Sequence, residues 1–446
     1  MEKSDAMFWT IVKREILDSM TSVRFALAML LCLGMTILSF YVSLRDYERR
    51  LEEYQFCVRK QDGHAVSMNA IYRKPEILSI FSQGLDRKLG TMIETRGYGG
   101  TYVTFVGATG SWSGRQSHYL KSLAGLDFAF VIRVVFALLA IFLSYHLISG
   151  ERESGTLKLN LSNPVPRSVI MFGKFCGGVF LLLISLTVSF LIGLLILLFS
   201  PIVQLGSEEW IRIGVIYLAS VLYLICFFGI GILASSLTRA SAISLLVGIV
   251  AWICLIFVIP NLTATLAAEI QPVPTKDEME ENVNRLNKSS ADHIAELIEA
   301  GHDFWDPTIQ KEEVRFSREI DNFHNDYTNR LHNQAALAQR LSRISPASAL
   351  NYAAVQLART DAGTYRNMLK RVGDYTLAFD DFVLLGRDAT HEDYARIMGK
   401  AEASLDMRQY LDDSLSLATP NVLILFLFSV LLFLTAYLVF MKREVR

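Results

Sequence analysis

Six runs almost free of charge punctuate the chain, at 25–44, 128–148, 175–198, 213–234, 242–260 and 422–441. Each has roughly the 20 residues that an α-helix needs to cross about 30 Å of hydrocarbon. Inside lipid no water pairs with the backbone, so an open chain crosses as a helix. The runs predict an all-α polytopic membrane protein with six transmembrane helices. Composition agrees: 52% of the 446 residues are hydrophobic and mean hydropathy is +0.33, although 20% of the residues are charged. The apolar excess is therefore concentrated in segments. The first run is about twice as long as a signal-peptide core and lacks a small-residue cleavage site, so it reads as a retained helix.

A net charge of −1 gives no electrostatic footprint for nucleic acid. Cys32, Cys176, Cys226 and Cys254 lie in the apolar runs and only Cys57 lies outside them, which leaves no disulfide framework and no cysteine metal site.

Short basic stretches set the orientation. Lys13, Arg14 and Arg24 precede the first run, Arg152, Lys158, Arg167 and Lys174 follow the second, Arg239 follows the fourth, and Lys442, Arg443 and Arg446 follow the sixth. Six crossings put all four groups on one side, so both termini are predicted cytoplasmic. Arg212, near Glu208 and Glu209, falls on the other side. The division reads 1–24 interfacial helix, 25–44 first span, 45–126 first outer domain, 127–149 second span and 150–174 cytoplasmic loop. It continues with spans at 175–199, 212–235 and 241–260, a second outer domain at 261–420, the sixth span at 421–441 and a tail at 442–446.

The lead-in FWTIVKREILDSMTSVRF sets Trp9, Val12, Ile16 and Met20 on one helical face and Lys13, Arg14 and Asp18 on another, which suits a helix in the headgroup plane. The first outer stretch opens with RDYERRLEEYQ, which can continue the span as a helix. FCVRKQDGHAVSM and RGYGGTYVTFVGATGSWSG then predict short strands and tight turns, hence a small α+β outer domain. Residues 275–300 and 308–343 carry dense mixed charge at helical spacing and predict a mainly helical second outer domain, an antiparallel hairpin broken near DFWDP.

The loop after the second span, SGERESGTLKLNLSNPVPRSVIMFGKF, has a chemical order. Glu151, Arg152 and Glu153 follow Gly150, and Gly155 permits a sharp turn. Thr156 and Leu157 open a short amphipathic helix, TLKLNL, which Pro164 and Pro166 halt; Arg167 and Lys174 bracket the return. Read alone, these are either a docking element or ordinary interfacial charges holding two spans together.

From Gly150 to Lys174 this string resembles the permeases of the ABC type-2 exporter family, with their pattern GE-R/K-E-x-GTL, short helix, P-x-x-R and GK. KREILDS before the first span and RISPASALNYAAVQLARTD at 343–361 are similar to further family segments, and the resemblance covers most of the chain. The subgroup with two large outer insertions is the most similar, as in components of multicopper-enzyme maturation and gliding motility. The resemblance implies a non-catalytic permease subunit of the bacterial inner membrane. Its loop would be a coupling helix seated in a groove of a separate ABC ATPase. Glu151, Arg152, Glu153, Gly155, Thr156, Leu157, Pro164, Arg167 and Lys174 would contribute to it, with Gly173 matching as well. The implied partners are two ATPase copies carrying ATP and Mg, a second permease copy or paralogue, membrane lipid, and an extracytoplasmic protein. Export and mechanical work outside the membrane stay open as the output.

The chain has no phosphate loop of its own: GKF at 173–175 and GKA at 399–401 lack the preceding glycine and the hydroxyl residue. The competing class is a membrane-anchored scaffold or sensor. An intramembrane enzyme is disfavoured, since HExxH, GxSxG and paired intramembrane aspartates are missing from the sequence.

Arg133 falls about two turns inside the second run, where a charge must snorkel, pair or face water. Snorkelling toward the headgroups beside Asp127 is one reading, and a translocation-path or inter-subunit contact is the other. His146 reads as an interfacial histidine. His293, His302, His324 and His332 lack metal-ligand spacing and predict no metal site. Gly173, Gly177, Gly178, Gly229 and Gly231 predict close helix packing.

Overall fold

The charged lead-in and first apolar run form two helices, α1 (Glu2–Met20) and α2 (Val23–Lys60), in the computed structural model. The structure describes residues 2–60, 66–67, 70–89, 92–94, 104–106, 126–157, 166–303, 306–368, 370–371, 390, 392 and 411–442. At 38 residues, α2 is nearly twice as long as a bilayer core requires. RDYERRLEEYQ continues the span as a helix. The FCVRK piece, expected as a strand, belongs to α2 as well. The reason is local: Arg45 with Glu48 and Arg49 with Glu53 are helix-spaced ion pairs, and they favour propagation of the helix.

Four strands follow, β1 (Val66–Ser67), β2 (Ala70–Tyr72), β3 (Met92–Glu94) and β4 (Thr104–Val106). They pair antiparallel in sequence order, with Ile71 opposite Val66 and Ile93, and Ile93 opposite Phe105. A 3-10 turn (Ile77–Ile80) and a one-turn helix, α3 (Asp86–Leu89), lie between β2 and β3. Strands of two or three residues are too short for an independent unit, so the expected α+β outer domain is not established by them. The RGYGG and GATGSWSG parts of the expected strand region lie outside the described residues.

Among the described residues, six helices are long and apolar enough to cross a membrane: residues Phe25–Arg59 of α2, α4 (Phe128–Glu153), α5 (Arg167–Leu198), α6 (Ser207–Leu237), α7 (Ser241–Ile270) and α11 (Leu411–Lys442). In its most apolar stretch α4 is 61% buried, whereas α7 and α11 are each 17% buried, so α4 is central and the last two present apolar faces outward. Phe40, Phe81, Phe128 and Phe190 join α2, the 3-10 turn, α4 and α5 through ring contacts of 5.0–6.0 Å.

Glycines make the close approaches that the sequence predicted. A Cβ on Gly178 would collide with the Phe228 ring, and one on Gly231 with Ser144. Gly231→Val is expected to cost about 1–3 kcal/mol through overpacking of α6 against α4. Thermal unfolding of the detergent-purified protein checks this, and an unchanged midpoint would show that the contact yields.

Helices α4 and α7 each contain one π-helical turn, Ile132–Phe136 and Cys254–Val258. Such turns disturb the i→i−4 ladder, and neighbouring side chains supply donors to carbonyls within them. The Tyr223 hydroxyl donates to Arg133 O at 2.7 Å, Trp252 Nε1 to Val134 O at 3.2 Å, and the Ser345 hydroxyl to Leu255 O.

The charged stretch folds as the antiparallel pair α8 (Lys276–Glu299) and α9 (Pro307–Ser342). Thr275 and Glu278 form a capping box on α8, and the Asp306 side chain accepts from Thr308 N at 2.8 Å ahead of α9. His302 Nδ1 lies 2.9 Å from the other Asp306 oxygen, and these two hydrogen bonds hold the carboxyl down to about 2. Because the folded value is depressed, the cap stabilises fully above the ordinary 3.8 and is lost as pH falls toward about 2. Helical circular dichroism of the wild type is expected to show a step in that window that Asp306→Asn lacks.

Helix α10 (Pro346–Leu357) has 12 residues, too few to cross a bilayer. It lies within 261–420 in sequence, yet it packs against α6 and α11 and is buried for most of its length.

Candidate functional site

Residues 148–157 close the end of α4 with contacts to three other helices, α5, α6 and α7. The hydroxyl of Ser235 in α6 accepts from Ile148 N at 3.0 Å and Ser149 N at 2.9 Å. These are the otherwise unpaired donors at the start of the terminal turn Ser149–Glu153. Ser235→Ala is expected to cost about 1 kcal/mol, the usual worth of a cap, as read from thermal unfolding. A midpoint unchanged within error would remove Ser235 from this role.

The three charges that follow go to three places. Glu151 pairs with Lys174 of α5 at 3.0 Å, and Lys174 also pairs with Glu15 of α1 at 3.1 Å. The Lys174 side chain is 9% exposed, and those of Glu15 and Glu151 are 15% and 23% exposed, so the triad is shielded from solvent. Helix α1 can come this close because α5 offers a notch. A Cβ on Gly173 would stand 2.9 Å from Ile11 Cγ2, and one on Gly177 would stand 3.0 Å from Glu15 Cβ. The small-xxx-small spacing of these two glycines sets the α1–α5 approach, and Lys174 sits beside it.

Arg152 Nη1 donates to Thr238 O at 2.8 Å, at the carboxyl end of α6, where a cation meets the negative end of the helix dipole. Glu153 Oε2 accepts from Ser241 N at 3.0 Å and from the Ser241 hydroxyl at 2.5 Å, at the amino end of α7, where an anion is favoured. Consecutive residues of opposite sign thus clamp both sides of the α6–α7 turn.

Beyond them the chain turns outward. Gly155 has φ +73°, a left-handed conformation that costs a residue with a Cβ about 1–2 kcal/mol. Ser154, Gly155 and Thr156 are exposed, with the two hydroxyls 2.8 Å apart, while Leu157 returns to the core at 1% exposure. Pro164 and most of the TLKLNL stretch lie outside the described residues. Arg167 is the first residue of α5 and is half-buried.

Sequence reasoning did not assign Glu15, Ser235 or Ser241. Only Glu15 left a signal, as a carboxylate within the family-like KREILDS segment.

Arg133 does not use Asp127. Its Nη1 donates to Asn351 Oδ1 of α10 at 2.6 Å, whereas Asp127 accepts from Gln83 N at 2.8 Å and Phe130 N at 2.7 Å, where it caps α4. The snorkelling reading is replaced by a fixed side-chain partner. His146 is exposed, with its ring tilted against that of Tyr145 at 5.0 Å. His293 Nε2 lies 3.6 Å from Glu312 Oε2, and His332 lines the cavity described below.

The lattice joins α1, α4, α5, α6 and α7 at one end of the bundle, and its exposed apex is the sequence Ser-Gly-Thr. Comparison with curated proteins finds no match to this chain. The family model described as ABC-2 family transporter protein matches residues 9–445, which takes in α1's apolar face, all six spans and the 150–174 loop. A multi-pass membrane protein that matches this model over nearly its whole length belongs to the ABC-2 family of transporter proteins.

Proposed function

We propose that this chain is the permease subunit of an ABC transporter and that the 150–174 loop couples it to a separate ATPase. The observation that carries this is the division of labour at the α4 terminus. Glu151, Arg152 and Glu153 are spent on α5, α6 and α7, and the residues left to meet a partner are Ser154–Thr156 on a rigid base. A push on that apex reaches every helix it is tied to, because packed interiors transmit displacement. ATP and Mg belong to the ATPase, present in two copies, and the permease pairs with a second copy or a paralogue. The lattice faces the cytoplasm of a bacterial inner membrane, with both termini on that side. The outer stretch that follows the first span, with the α8–α9 hairpin, engages an extracytoplasmic partner. The output is export or mechanical work on that partner.

The test is co-purification with the ATPase encoded beside this gene and measurement of ATPase stimulation. Thr156→Arg and Gly155→Val are expected to lower both at least about tenfold, since a charge or a bulky side chain blocks a well-packed contact at its centre. Full stimulation by both variants would leave the chain as an uncoupled membrane scaffold.

A further inference from the structure

At the opposite end of the bundle from the lattice, Gln83–Leu85, α9 and α10 line a half-open cavity of about 1360 Å³. This is larger than the roughly 300–1,000 Å³ of a small-molecule site. Its walls include Arg133, Gln83, Arg366 and His332, with Ala264 of α7 and Leu417 of α11 on the apolar side. The acids in the wall are already engaged. Asp127 accepts the two backbone donors given above, and Asp361 accepts from Gly363 N at 2.8 Å and the Thr364 hydroxyl at 2.6 Å.

Two donors are left over. Gln83 is 7% exposed, and among the described residues neither its Nε2 nor the buried Nε of Arg133 has a hydrogen-bond partner. Neither is loosely held. Gly84 has φ +46° and backs onto Thr360, Leu85 N donates to Thr360 O at 2.8 Å, and the Thr360 hydroxyl donates to Ser82 O at 3.0 Å. Gln83 is therefore clamped on both sides, and Arg133 is fixed by Asn351. Buried donors without acceptors cost free energy unless a ligand supplies them.

The positive members of the wall are arginines. Arg366 Nη2 is held by Asn329 Oδ1 at 3.2 Å, and Arg87 lies 3.7 Å from Asp46. His332 is kept below its ordinary range by burial and then by Arg366, so it is a neutral partner at neutral pH. Arginine suits phosphate, whose oxygens accept in the plane of the guanidinium fork. On the apolar side, the lining residues Ala264 of α7 and Leu417 of α11 are both exposed, Leu417 at 43%, so the cavity adjoins the outward-facing surface of these two helices.

We propose that this cavity binds a phosphate-bearing head group, held by Arg133 and Gln83, with any hydrocarbon tail lying along α7 and α11. Only the step of naming this ligand a cargo rests on the permease reading, and binding itself needs neither ATPase nor ATP.

Native mass spectrometry of the full-length protein in micelles would read occupancy with phosphatidylglycerol, with the phosphate-free lipid diacylglycerol and, separately, with glycerol 3-phosphate. Phosphatidylglycerol retained over diacylglycerol assigns the site to a lipid, and glycerol 3-phosphate bound with equal strength assigns it to a soluble ester. Either is expected to weaken about tenfold in Arg133→Gln and in Gln83→Leu, the factor carried by one charged hydrogen bond. Unchanged binding in both variants, no binding of either phosphate ligand, or equal retention of the two lipids overturns the proposal. Should Arg133→Gln fail to fold, the Gln83→Leu comparison decides alone.

Discussion

Replacing Lys174 with alanine is expected to destabilise the protein by about 3–5 kcal/mol, the cost of stripping the partner from a buried charge. Two carboxylates, Glu15 and Glu151, converge on this ammonium at 3.1 and 3.0 Å, and none of the three side chains is more than 23% exposed. Without the lysine, two like charges remain in a poorly solvated notch between α1, α4 and α5. The change is read as a lower midpoint of thermal unfolding and as faster proteolysis of α1. A companion variant separates pairing from packing. Lys174→Met combined with Glu15→Gln and Glu151→Gln removes the charges together and is expected to recover most of the loss, since an apolar replacement of a whole buried network is often neutral. A single variant that unfolds at the wild-type midpoint would show that α1 is held by the glycine notch alone. On the permease reading proposed above, Lys174→Ala is also expected to lower ATPase stimulation, because the lysine holds Glu151 at the base of the 150–157 turn.

The second large effect is expected at the other end. Asp86→Ala should cost about 3–5 kcal/mol for the same reason. Arg50 and Arg73 both bond to Asp86, and Arg50 also donates to Asp46 at 2.9 Å and to the Ser79 hydroxyl at 3.0 Å. Arg50 is 1% exposed and Asp86 2%, so the acid faces two guanidinium groups away from water. Burial already pushes the Arg73 guanidinium below its usual range, and removing the acid leaves that penalty uncompensated. The network ties the extension of α2 to α3 and the 3-10 turn. Protease nicking at 73–89 should therefore rise before the spanning helices unfold. Equal rates in variant and wild type would mean that the aromatic cluster around Phe81 suffices to hold this segment.

Much of this was legible in the chain. Hydrophobic runs, the α8–α9 hairpin and the amphipathic lead-in were readable because each is a property of consecutive residues and of one helical period. The FCVRK segment was misread because its apolar alternation resembles a strand, while the helix-spaced ion pairs preceding it carry α2 through to Lys60. Arg133 was recognised as anomalous, but Asn351 lies 218 positions away and no local pattern points to it.

For the loop, sequence alone determined where charge, turn and return to the membrane fall. Tertiary structure alone decided what each charge does. Arg152 meets a residue 86 positions on, Glu153 one 88 positions on, and Lys174 one 159 positions back. Consecutive side chains on a helix point about 100° apart, so Glu151, Arg152 and Glu153 face different helices. Which helices those are follows from how six spans pack, and that packing is set by glycine notches and aromatic contacts between segments far apart in the chain.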